Sequence, residues 1–110
     1  MLEGLIGNRT AERVLLYIEE HGEGYAKAIA DTFDDVSVSM AQRNLERFER
    51  AGLIISVTKG RTRLFTWNPR YAFLKEDRAL VRRALEALPD EERRRYFSRR
   101  RRPRRRGKPL

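Results

Sequence analysis

The sequence predicts a small α+β domain, mostly helical, followed by a basic tail. Three observations carry this prediction. Apolar residues recur at helical spacing in three successive segments before residue 52. Two β-rich runs follow, separated only by Lys59-Gly60-Arg61, and a further helical pattern succeeds them. Charge is then split along the chain. Residues 93–110 hold ten arginines and one lysine with no acid, whereas residues 1–92 hold 14 basic and 16 acidic residues. The formal charge of +9 therefore belongs to the tail, at +11, and the rest of the chain is close to neutral at −2.

The elements follow in order. Residues 1–9 are an N-terminal apolar segment carrying Leu2, Leu5 and Ile6. Residues 10–21 read as a helix because Ala11, Val14, Leu15 and Ile18 fall on one face. Thr10 is placed to cap its start, and His21-Gly22 to stop it. Gly22-Glu23-Gly24 reads as a loop. Residues 25–33 form a short second helix with Ala26, Ile29, Ala30 and Phe33 inward, broken by Asp34-Asp35. Ser37 caps a third helix over about residues 38–51. Val36 is placed to staple it through Ala41, and Gly52 ends it as the glycine just past a helix.

Residues 53–58 and 62–68 read as the strands of a hairpin, closed by Pro69. A long C-terminal helix over 70–88 carries Phe73, Leu74, Leu80, Val81, Leu85 and Leu88. Pro89 interrupts it, and residues 90–98 have room for a further turn or two. Residues 93–110 read as an Arg-rich disordered tail, since like charges repel and little apolar surface remains to bury. Helix, short helix, tight turn, helix, β-hairpin and helix is the order of a winged helix-turn-helix, here over residues 10–69. Residues 70–92 then supply the long C-terminal helix, read as a dimerisation element.

Composition removes several classes. The chain has no cysteine, which excludes disulfides, thiolate metal sites and cysteine catalysis. No apolar run approaches the roughly 20 residues of a membrane helix, and the N-terminus lacks the pattern of a signal peptide. A cytoplasmic protein without membrane partner is the expectation. No catalytic constellation, metal site or cofactor motif is visible, so no enzyme is expected. His21 is the single histidine and stands at a helix end, where a cap or surface role suits it. Asp34-Asp35 marks a helix stop, and Asp90-Glu91-Glu92 complements a helix N-terminus. Trp67 reads as core of the hairpin sheet.

The third helix carries the functional expectation. At about 100° per residue, Ala41, Leu45 and Phe48 cluster on the buried face. Ser39, Arg43, Glu46 and Arg50 lie opposite, flanked by Met40, Gln42 and Arg47. The N-terminal half thus presents Ser39, Met40, Gln42 and Arg43, chemistry suited to base edges in a major groove. Arg47, one turn later, is placed for DNA phosphate. A solvated, ion-paired face is the plain alternative, since Glu46 and Arg50 stand at i, i+4. The hairpin weighs against it. Lys59, Arg61 and Arg63 crowd the tip with no acid between Leu53 and Arg70, and Arg61 and Arg63 share a strand parity. That cluster reads as a phosphate clamp.

Residues 36–54, VSVSMAQRNLERFERAGLI, resemble the recognition-helix segment of ArsR-type winged-helix transcription regulators. The cap serine, Arg43, Leu45 and Ala51-Gly52-Leu53 carry the likeness. Residues 59–71, KGRTRLFTWNPRY, are similar to the wing of that family and its Asn-Pro link to the last helix. The resemblance covers about residues 5–88 and lies with a subgroup also found fused to nucleotidyltransferase domains. It implies groove contact by residues 39–43 and backbone contact by the wing. Metal sensing, which uses cysteine and histidine ligands in that family, does not transfer, because this chain has no cysteine and a single histidine.

The resulting expectation is a sequence-specific binder of double-stranded DNA, repressing transcription by occlusion. Leu5, Ile6, Phe73, Leu80, Val81 and Leu85 are expected at a homodimer interface, because the last helix is more apolar than one face of a small core requires. Such dimers read half-sites about 34–36 Å apart. Two other classes stay open: an RNA- or ribosome-associated winged-helix protein using the Arg-rich tail, and a protein-interaction module whose wing meets an acidic partner.

Overall fold

A computed structural model describes residues 1–97. The expected disorder of the arginine run beyond them lies outside the described residues. The described chain is α+β and mostly helical, with six helices and one three-stranded antiparallel sheet. In order these are α1 (Glu3–Ile6), α2 (Arg9–His21), β1 (Glu23–Gly24), α3 (Ala26–Thr32) and α4 (Val38–Arg50). The hairpin β2 (Ile54–Lys59) and β3 (Thr62–Trp67) follows, then α5 (Leu74–Glu86) and α6 (Asp90–Tyr96). None of these helices is long and apolar enough to cross a membrane.

Helix α2 runs through the centre. Ala11, Val14 and Ile18 have no exposed surface, and even its Glu12, Arg13 and Glu19 are buried. Its cap is Asn8, whose side chain accepts from the Ala11 amide at 2.7 Å. Thr10, expected as the cap, is instead a buried residue of the first turn. Asparagine satisfies the orphan amides of a first turn at least as well as threonine, so the helix starts slightly earlier. The carboxylate of Glu19 is clamped by two arginines of α5. Arg78 donates at 2.9 and 3.2 Å, and Arg82 at 3.1 and 2.9 Å. The bond to Glu19 holds the Arg78 guanidinium above its ordinary pKa.

The segment expected as a loop contains a short strand. Glu23 and Gly24 pair with Thr66 and Phe65, which gives the sheet order β1-β3-β2. Two residues are too few for a period-2 pattern to show. Gly24 is needed because a Cβ there would lie 3.0 Å from the Tyr17 ring. Between β2 and β3 the loop shrinks to Gly60-Arg61, since Lys59 pairs with Thr62. Gly60 at φ 64° supplies the left-handed backbone of that two-residue turn.

Helix α4 begins at Ser37, whose hydroxyl accepts from the Met40 amide at 3.1 Å, as expected. It ends in a Schellman motif: Gly52 donates to the Glu49 carbonyl and Leu53 to that of Phe48, both at 3.0 Å. Ala41, Leu45 and Phe48 are its buried residues. Helix α5 starts at Leu74, later than expected. Asn68 accounts for the delay. Its side chain accepts from the Arg70 amide at 3.0 Å, its carbonyl accepts from Tyr71 at 3.1 Å, and its Nδ2 donates to the Gly52 carbonyl at 2.8 Å. The Asn-Pro segment is thus tied into a turn across the end of α4.

On the C-terminal side the further turn expected within residues 90–98 is present as α6, which runs to Tyr96. The tail boundary at residue 93 needs correction, because Phe97 is among the largest fully buried side chains. Tyr96 and Phe97 pack on Phe33 at ring-centroid distances of 4.9 and 5.8 Å. The Arg13 guanidinium lies 4.9 Å from both the Phe33 and the Tyr96 rings. The arginines of α6 mask an amphipathic pattern carried by only two aromatic residues. The expected dimer set is divided as well. Val81 and Leu85 are each 2% exposed and belong to this chain's own core, while Leu5, Phe73 and Leu80 remain exposed. Ile6 is half-buried against the core.

Candidate nucleic-acid interface

Helix α4 has three surfaces besides its buried one. The outward ridge carries Ser39, Arg43 and Arg50, all exposed. Arg43 and Arg50 have no acidic partner among the described residues. The flank toward the hairpin carries Gln42, Glu46 and Glu49. The flank toward the start of α2 carries Met40, Asn44 and Arg47. The sequence projection placed Ser39, Arg43, Glu46 and Arg50 outward; Ser39, Arg43 and Arg50 are exposed, whereas Glu46 is half-buried and engaged by Gln42 and Arg63. Met40 and Gln42 are half-buried beside them. Gln42 donates to Glu46 at 2.8 Å, so its amide is held along the helix.

The hairpin flank is organised by Glu49. Its carboxylate accepts from Ser56 Oγ at 2.7 Å and pairs with Arg63. These bonds, the Ser56 hydroxyl foremost, hold the Glu49 carboxyl below its ordinary pKa. Arg63 also donates to Ser56 Oγ at 3.0 Å, approaches Glu46 at 3.8 Å and lies 5.0 Å from the Phe65 ring. Arg63 is therefore engaged at the helix and does not join the tip cluster expected from the sequence. Parity misled because Arg61 sits in the turn, while Arg63 shares the α4-facing side of the sheet with Ser56 and Phe65. Lys59 and Arg61 are exposed at the tip, with no acidic partner among the described residues.

The opposite flank was not foreseen. Asn8 Nδ2 approaches Asn44 Oδ1 at 3.5 Å, and Asn44 donates to the Met40 carbonyl at 2.9 Å. Arg47 donates to the Ile6 carbonyl at 3.2 Å and lies 5.0 Å from the Phe48 ring. These contacts enclose an open groove of about 690 Å³ lined by Arg9, Arg43, Arg47 and Arg50. Asn8 and Asn44 are 36 residues apart, so no local pattern announces their meeting.

A second concavity of about 350 Å³ lies where α1, α2, α4 and α5 converge, lined by Ile6, Phe48, Trp67, Leu80 and Val81 among others. Asp77 sits in it, and burial, followed by the neighbouring Glu76 charge, pushes its carboxyl up. Trp67 is buried, as expected, with Arg78 5.7 Å from its ring. Among the described residues no group of three or more histidines and acids is gathered that could hold a metal ion. No known protein family and no curated protein matches the chain.

Proposed function

We propose that the chain is a winged helix-turn-helix regulator that binds double-stranded DNA, with α3 and α4 as the helix pair, α4 in the major groove and the β2–β3 hairpin as the wing. One observation carries this reading. A well-capped helix presents Ser39, Arg43 and Arg50 on an outward ridge, the two arginines without an acidic partner among the described residues, and an exposed basic hairpin tip stands beside it. Helix width matches the major groove, which is about 12 Å wide, and guanidinium groups match guanine edges and phosphates. The likeness of residues 36–54 to ArsR-type regulators supports the same reading. Repression by occlusion is part of the proposal.

In this reading Arg43 reads a base, with Ser39, Met40 and Gln42 around it. Gln42 can do so only by exchanging its bond to Glu46 for one to DNA. Lys59 and Arg61 grip phosphate. Arg43→Ala is expected to weaken binding to a preferred duplex by about 1–3 kcal/mol and to relax its base preference. Fluorescence anisotropy on preferred and random duplexes tests this. Equal losses on both would make Arg43 a phosphate contact.

A further inference from the structure

The groove between α4 and the start of α2 is basic and open, and it extends beyond the base-reading ridge, with which it shares Arg43 and Arg50. It gathers Arg9, Arg43, Arg47 and Arg50 around the Asn8–Asn44 contact. Arg47 is anchored through the Ile6 carbonyl, and Arg50 is exposed without an acidic partner among the described residues. Arg9 is exposed and meets an acid only at 3.8 Å, in Asp35. Glu46 on the rim is engaged by Gln42 and Arg63 on the hairpin side. The two flanks of α4 therefore differ in sign. Glu46 and Glu49 face Arg63 on the hairpin side, while the groove is lined by four arginines with Glu46 as the one acid among its lining residues.

We infer that this groove is a second phosphodiester site, seating the DNA strand opposite the one gripped by the hairpin tip. The inference rests on the DNA-binding reading above. A helix lying in a major groove has one sugar-phosphate strand along each flank. The hairpin tip can serve only one of them. The α2 side then has to meet the other strand, and it offers guanidinium groups in a concave surface. Arg9 and Arg50 are the residues this assigns anew, as backbone contacts that position α4 without reading sequence.

The test measures affinity of the full chain for a random duplex over a salt series, for wild type and for Arg9→Ala, Arg50→Ala, Arg61→Ala and Lys75→Ala. Lys75 is an exposed cation of α5 away from the groove and serves as control. Loss of one phosphate contact reduces the slope of log affinity against log salt by about 0.9. Arg9→Ala and Arg50→Ala are expected to show that reduction, with the ranking of duplex sequences kept and thermal stability unchanged. Lys75→Ala is expected to leave the slope in place. A slope that falls with Arg61→Ala but not with Arg9→Ala or Arg50→Ala would overturn this inference and leave the DNA reading standing. Absence of duplex binding by the wild type would overturn both.

Discussion

Glu49 joins α4 to the hairpin, because Ser56 and Arg63 both meet its carboxylate. Its pKa is lowered in the folded chain, so the charged form is favoured by folding. The stability this contributes is present above the ordinary glutamate pKa and is lost as pH falls through the lowered value. Wild type is therefore expected to exceed Glu49→Gln in melting temperature near neutrality, with the gap closing as pH falls from the ordinary glutamate range through the lowered value. A gap that stays constant over that range would remove the charged pair as its source. At this scale the sequence reading succeeded where periodicity alone decides, as for Ser39, Arg43 and the buried Ala41, Leu45 and Phe48. It failed for Arg63, because which face of a strand meets a helix depends on packing between elements. It also missed Arg9, whose neighbours across the groove come from a helix far along the chain.

Helix α6 and Phe97 belong to the folded body. Phe97 is 2% exposed and Tyr96 is 7% exposed, both against Phe33. Phe97→Ala is expected to cost about 3–5 kcal/mol through lost burial and the cavity left behind. Truncation after Glu92 is then expected to destabilise the chain strongly, whereas truncation after Phe97 leaves its denaturant midpoint close to wild type. Equal midpoints for the two truncations would return residues 93–97 to the tail. The long helices and the hairpin were legible because each repeats its period several times or carries a turn signal. The two-residue β1 and the shortened start of α5 were not, since pairing with β3 sets the first and the bonds of Asn68 set the second.

At the scale of the whole molecule, large apolar side chains are exposed on several elements, Val38 on α4 and Ile55 and Val57 on β2 among them. Leu5, 71% exposed, and Leu80, 37% exposed, line the concavity that holds Asp77, and Phe73, 62% exposed, lies against Tyr71 of its lining with ring centroids 5.9 Å apart. We propose, alongside the DNA-binding reading, a homodimer that uses Leu5, Phe73 and Leu80, since Val81 and Leu85 are buried within the chain's own core. Leu80→Glu is expected to give a folded monomer with weakened binding to a two-fold duplex site, read by sedimentation and anisotropy. Leu85→Glu places a charge in the core and is expected to unfold the chain, because removing a carboxylate from water into an apolar interior is costly. A wild-type chain that is monomeric at micromolar concentration would contradict the dimer. Such a dimer would place two copies of α4 about one helical turn of DNA apart, roughly 34–36 Å. The central claim is met most directly by selecting bound sequences from a random duplex pool with the full chain. The account predicts an enriched consensus with two-fold symmetry whose enrichment collapses in Arg43→Ala. A bound pool indistinguishable from the input would contradict it.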